Sequence, residues 1–166
     1  MFRATGSPGR PRRVYPRLTM YSSILVALDG SPRTALVLRE AVDIATRHGA
    51  RLHLCRAVNI PLGMPIEAWS LTGDELTASL VEHAERELQE SFRGLAPAIQ
   101  GGVHVRLGRP AQVICDVADA IPVDLIVIGS HGFDALDRLL GTTAARVVNH
   151  ATCSVLVVRP ARKPAA

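Results

Sequence analysis

The feature that most constrains this chain is a repeated switch in its hydrophobic period between residues 20 and 160. Short aliphatic runs alternate with segments whose apolar residues recur every three or four positions. Ser23 to Leu28 is one such run, with the composition of a strand. Asp29-Gly30-Ser31-Pro32 breaks it. Ser31 before Pro32 has the form of a helix start, a capping hydroxyl followed by a proline whose missing N–H costs nothing in the first turn. Ala35, Leu38, Ala41, Val42 and Ala45 then keep helical spacing up to His48-Gly49, a glycine stop. Arg51 to Val58 alternates as a second strand, and Asn59 to Ser70, with Pro61, Gly63 and Pro65, reads as a loop. Leu76, Leu80, Ala84, Leu88 and Phe92 mark a long amphipathic helix with Glu82, Glu85, Glu87 and Glu90 toward water. Val103 to Leu107 is a third strand, and Gly108-Arg109-Pro110 opens a helix carrying Val113, Ile114 and Val117. Val123 to Ile128 is an almost continuous apolar run, as expected of a strand covered on both faces. A helix from Thr142 to His150 and a fifth strand from Val155 to Val158 complete the pattern.

Four successive strand–helix units imply parallel strands joined by right-handed crossovers. The expected fold is α/β: a five-stranded, doubly wound parallel sheet with helices on both faces, Rossmann-like. A length of 166 residues fits one domain, and 48% apolar composition is enough for its core. Aromatics are only 4%, so Val, Leu, Ile and Ala must carry the packing. No internal repeat or second domain is evident.

The formal charge of +4 is confined to one end. Residues 1–19 hold Arg3, Arg10, Arg12, Arg13 and Arg17 and no acid, so removing these five charges leaves −1 for residues 20–166. A nucleic-acid surface on the domain is therefore not indicated. Residues 1–19 lack apolar periodicity and are expected to be a disordered basic extension, with Met20 standing just before the first strand. They lack the apolar core of a secretory signal, and Pro8, Pro11 and Pro16 spoil the amphipathic helix of a transit peptide. The domain is expected to span 20–160, with a flexible tail at 161–166. No apolar run approaches the roughly 20 residues needed to cross a bilayer. Cys55, Cys115 and Cys153 sit among apolar neighbours, without metal-ligand spacing, and read as reduced thiols of a cytoplasmic protein. The histidines at 48, 53, 83, 104 and 150 likewise show no ligand spacing.

In such sheets ligands bind beyond the carboxyl ends of the strands, where strand order reverses. Two strand ends are equipped for this. The first runs from Ala27 into Asp29-Gly30-Ser31; the fourth ends in Gly129-Ser130-His131-Gly132 and leads to Gly141-Thr142-Thr143 at the next helix. Glycines admit close approach of an anion to backbone N–H groups, and a helix N-terminus adds free donors, which together suit phosphate. Asp29 has a second reading as a cap for the turn into the first helix, and Thr142 a second reading as an N-cap. His131 has no adjacent acid or nucleophile that would mark it as catalytic.

Ile24 to Ser31, Gly129-Ser-His-Gly132, Gly141-Thr142 and Ser154-Val-Leu-Val-Val-Arg159-Pro160 together resemble the universal stress protein family, over residues 20–160. The resemblance implies an adenine-nucleotide site, with ATP as ligand and Mg²⁺ or Mn²⁺ accompanying the triphosphate. Ala27, Asp29 and Ala57 would border the adenine. Gly129, Ser130, His131, Gly132, Gly141, Thr142 and Thr143 would surround ribose and phosphates. The family's nucleotide-binding pattern is glycine, two residues, glycine, nine residues, then glycine with serine or threonine. Here the long gap, Phe133 to Leu140, has eight. A homodimer through Val155 to Val158 is also implied, since that strand would otherwise leave an apolar edge.

The only lysine is Lys163, and no Walker loop or adenylating Ser-Gly-Gly loop follows the first strand. Efficient phosphoryl transfer thus lacks its usual parts. The expected function is a regulatory ATP-binding module rather than a dedicated enzyme. The alternatives are a nucleotide-free partner-binding member and a slow ATPase.

Overall fold

The computed structural model describes residues 20–59, 66–130 and 140–160, with the side chains of 66–74 left aside. Five strands form one parallel sheet: β1 (Ser23–Ala27), β2 (Arg51–Val58), β3 (Gln100–Leu107), β4 (Leu125–Gly129) and β5 (Ser154–Val158). Their order is β3-β2-β1-β4-β5, and all pairs are parallel. Strand order therefore reverses between β1 and β4, the switch point at which a ligand crevice is expected.

The helices are α1 (Thr34–His48), α2 (Ile66–Arg93), α3 (Pro110–Ala120) and α4 (Thr142–His150). Alternate residues of the central strands feed two separate cores. Ile24, Val26, Leu52, Leu54 and Val127 pack with Val37, Ala41 and Ala45 of α1 and Leu88 of α2. Leu25, Cys55, Ile126 and Ile128 pack with Val113, Ile114 and Val117 of α3 and Val147 of α4. This is the two-sided burial that the near-continuous apolar runs imply. Cys55 is buried, Cys115 and Cys153 are half-buried, and all three are free thiols.

Several boundaries differ from the sequence reading. Ile66 to Ser70 is helical rather than loop, because the proline and glycine punctuation ends at Pro65 and nothing from Ile66 to Ser70 resists a helix. The first helix begins at Thr34, not at Ser31-Pro32. Residues 31–33 form a turn in which the Thr34 N–H donates to the Ser31 carbonyl at 2.9 Å. β3 starts earlier than Val103 and includes Gly101 and Gly102. A Cβ on Gly101 would lie 2.7 Å from His53 Nε2, and one on Gly102 3.3 Å from His104 Nε2. The two glycines thus make room for imidazoles in a strand they would ordinarily weaken. β4 starts at Leu125 rather than Val123. Asp124, just before it, is taken up by β1, accepting from the Ser22 and Ser23 N–H groups at 2.6 and 2.9 Å.

The expected basic extension at 1–19 and tail at 161–166 lie outside the described residues. Among the described residues, no helix is long and apolar enough to cross a membrane.

Candidate functional site

At the carboxyl ends of β1 and β4 the sheet opens into a cavity of about 690 Å³, within the range of small-molecule sites. Its floor is apolar. Ala27 lies in register between Cys55 of β2 and Ile128 of β4, and Ala57, Val37 and Ile114 extend the same surface. Burial pushes the Cys55 thiol up to about 12, so this sulfur is an uncharged part of the floor.

The rim is polar and comes from two turns. In the turn after β1, Asp29 Oδ1 accepts from the Ser31 N–H at 2.9 Å and from the Thr34 hydroxyl at 3.4 Å. Asp29 thus braces the turn into α1, whose own N-cap, Arg33, makes no side-chain capping bond, while Oδ2 takes no hydrogen bond from a described residue and the side chain lines the cavity. Gly30 has φ +74°, and a Cβ there would lie 2.5 Å from the Arg56 guanidinium. The backbone conformation calls for glycine at this position, and a side chain there would also have to displace the Arg56 guanidinium. Arg56 in turn pairs with Glu87 of α2, and that hydrogen bond holds the Glu87 carboxyl below the usual carboxylate range. The turn is thereby seated on an ion pair that reaches across to α2.

The second turn follows β4. Ser130 is buried; its N–H donates to the Val158 carbonyl at 2.9 Å, and its carbonyl accepts from the Gly141 N–H at 2.7 Å. The last bond closes the neck of the loop and sets where α4 begins. Gly141 is the N-cap, with no side-chain capping bond, so Thr142 is the first helical residue rather than the cap. The N–H groups of Thr142, Thr143 and Ala144 have no intrahelical acceptor and face the site end of the helix.

Of the residues singled out by sequence, Ala27, Asp29, Ala57, Gly129, Ser130, Gly141, Thr142 and Thr143 all line this one cavity. His131 and Gly132 lie outside the described residues. Arg33 and Asn59 also line the cavity and were not foreseen. A search for phosphate-binding lysine passes over Arg33, and Asn59 stands in a segment read as plain loop. Among the described residues, no group of three or more His, Cys, Asp or Glu side chains is placed to hold a metal ion.

Comparison with known proteins agrees with this architecture. The model of the universal stress protein family matches residues 20–159. Universal stress protein A homolog 1 of Coxiella burnetii is 28% identical over 141 residues, covering 83% of this chain and 96% of that protein. Universal stress protein MJ0531 of Methanocaldococcus jannaschii is 31% identical over 150 residues, 87% of this chain and 85% of that protein. Among solved structures, universal stress protein UspA from Lactobacillus plantarum superposes with a TM-score of 0.73 at 31% identity, covering 84% of this chain and 98% of that one. With its family match spanning the whole described sheet, this chain belongs to the universal stress protein family.

Proposed function

We propose that this chain binds an adenine nucleotide, ATP first among them, in the cavity between β1 and β4. The bound nucleotide then modulates the conformation of the domain or its affinity for a partner. The observation that carries this reading is the joining of an apolar floor to an uncapped α4 N-terminus within one cavity at the switch point. A flat base suits the floor, and phosphates suit the free N–H groups of Thr142 and Thr143. A solved universal stress protein of this fold, 22% identical, is a complex with cAMP, which supports an adenine ligand for folds of this kind. Mg²⁺ or Mn²⁺ would be held mainly by the triphosphate, with Asp29 as a carboxylate lining the same cavity.

Calorimetry with ATP and AMP, with and without Mg²⁺, tests the reading on the full chain. Binding of ATP that tightens with Mg²⁺ supports it. No affinity tighter than about 1 mM for any adenine nucleotide overturns it. The one-residue-shorter loop then favours the partner-binding alternative.

We infer also that β5 pairs with its own copy about a two-fold axis. Among the described residues it is hydrogen-bonded on one side only, to β4, and its Leu156 is 37% exposed. Leu156→Lys should give a folded monomer by light scattering. An unchanged dimer, or a monomeric parent chain, would remove the assignment. Three unpaired thiols support a reducing, cytoplasmic setting.

A further inference from the structure

A second cavity, of about 530 Å³, lies between α3 and α4 and shares Pro110, Thr142 and Thr143 with the first. Both helices begin at the carboxyl ends of parallel strands and pack on the same face of the sheet. Thr143, Arg146 and His150 follow the i, i+3, i+7 spacing of one helical stripe on α4, and all three line this space. Across from them stand Arg109, at the N-cap of α3, and Gln112. The two cavities therefore meet at Pro110 and the first turn of α4, and Arg109 and Arg146, each close in sequence to those shared residues, line the second of them.

Neither Arg109 nor Arg146 forms an ion pair with a described residue. The acidic groups of the cavity belong to its far end and are engaged. Asp116 accepts from Gln112 Nε2 at 2.7 Å, and Asp119 accepts from the Thr152 hydroxyl at 2.9 Å. The charge along the cavity thus runs from positive at Arg109, next to the shared Pro110, to negative about two to three turns farther along α3. Helical side chains lean toward the N-terminus of their helix, which brings Arg146 back over Thr142 and Thr143.

Resting on the nucleotide reading above, we infer that this second cavity receives the outer phosphates of the triphosphate, and that Arg109 and Arg146 are the residues by which the chain prefers ATP to AMP. A monophosphate anchored at the α4 N-terminus ends at the junction and gains little from them. A triphosphate continues past Thr143 into the space between the two guanidiniums, whose planar forks suit phosphate oxygens. The charge opposing the triphosphate then comes from these guanidiniums as well as from the metal that accompanies it.

Calorimetry of AMP and ATP binding, in the presence of Mg²⁺, decides the matter on the full chain. The parent chain should bind ATP roughly tenfold or more tightly than AMP. In Arg109→Ala/Arg146→Ala that gap should close through loss of ATP affinity, with AMP affinity held within about twofold. Arg109→Lys/Arg146→Lys should recover part of it, since charge is kept while the fork is lost. Both arginines are exposed, so the melting temperature should not move. If the alanine pair unfolds, Arg109→Gln/Arg146→Gln is read in its place by the same criteria. Equal weakening of AMP and ATP, or a preference for ATP that survives both substitutions, overturns the inference. A parent chain that binds AMP and ATP equally overturns it too and leaves the nucleotide reading standing. A parent chain that binds neither overturns both.

Discussion

The two turns that border the main cavity are held in opposite ways. The turn after β1 satisfies itself: Asp29 bonds Ser31 and Thr34, Gly30 lies against Arg56, and Arg56 pairs with Glu87. Among the described residues, the turn into α4 is held at its neck, where the Gly141 N–H donates to the Ser130 carbonyl and the Ser130 N–H to the Val158 carbonyl, and the helix that follows has no side-chain cap. The first arrangement is rigid before any ligand arrives, which suits a shaped pocket for a base. The second keeps donors in reserve, which suits a charged ligand that must replace its water shell with protein N–H groups. Stability should therefore concentrate at the first turn and affinity at the second.

The sharpest way to break this contrast is Gly30→Val. A β-branched residue at φ +74° is strained, and its Cβ would press on a guanidinium already committed to Glu87. We expect a loss of about 2–3 kcal/mol in urea unfolding, which is a fall of roughly 5–10 °C in melting temperature. Repeating the substitution in an Arg56→Ala background separates the two causes. The steric part should vanish and the backbone part remain. A Gly30→Val chain as stable as its parent would show that this turn is not the rigid one.

At the second turn, Thr142→Pro is the matching probe. Proline is favoured at the first helical position, and Gly141 before it has φ −59° and ψ 151°, a conformation that a following proline tolerates. The substitution removes one N–H without disturbing the helix. ATP affinity should fall about tenfold, about 1.4 kcal/mol, with the melting temperature unchanged. Gly132→Val, chosen from the glycine pattern alone, should weaken binding to a similar degree. A large loss of stability in Thr142→Pro, or unaltered affinity, would reverse the assignment of roles.

How legible each turn was in the sequence follows from the range of the interactions that build it. Asp29-Gly30-Ser31 and Gly141-Thr142-Thr143 are local signals, and residues adjacent in the chain reveal them. The strands are equally legible, because Ile24 to Ala27 and Leu125 to Ile128 are aliphatic runs with no competing helical period. Arg56 beneath Gly30, and Arg109 opposite Arg146, depend on which elements the sheet order brings together. No local pattern encodes that order. The early start of α2 at Ile66 was missed for a different reason: loop punctuation was extended past its last proline, over residues that are neutral toward a helix. His53 and His104, 51 positions apart, carried no ligand spacing, yet they meet across β2 and β3 with Nδ1 and Nε2 3.2 Å apart.

That histidine pair gives the contrast a third and smaller test, because it lies away from both turns on the far side of the sheet from β5. Burial, then His104 and Arg51, hold His53 below the usual imidazole range; burial, then Arg106, do the same for His104. A depressed folded-state value means the unfolded chain binds protons more readily as pH falls through about 6.5. The stability contributed by the neutral pair is thus fully present above that value and is lost below it. Asp124 behaves similarly but lower. Its bonds from Ser22 and Ser23 hold the carboxyl below the usual range, so its contribution persists until pH falls under about 4. Urea unfolding at pH 8, 6.5 and 5 should show a modest decline between the last two points, and His53→Gln/His104→Gln should flatten it. Nucleotide affinity per folded molecule should not follow the same curve, since neither histidine lines the cavity. An undiminished decline in the double variant would place the acid sensitivity elsewhere, and a parallel loss of affinity would show that this edge of the sheet communicates with the site.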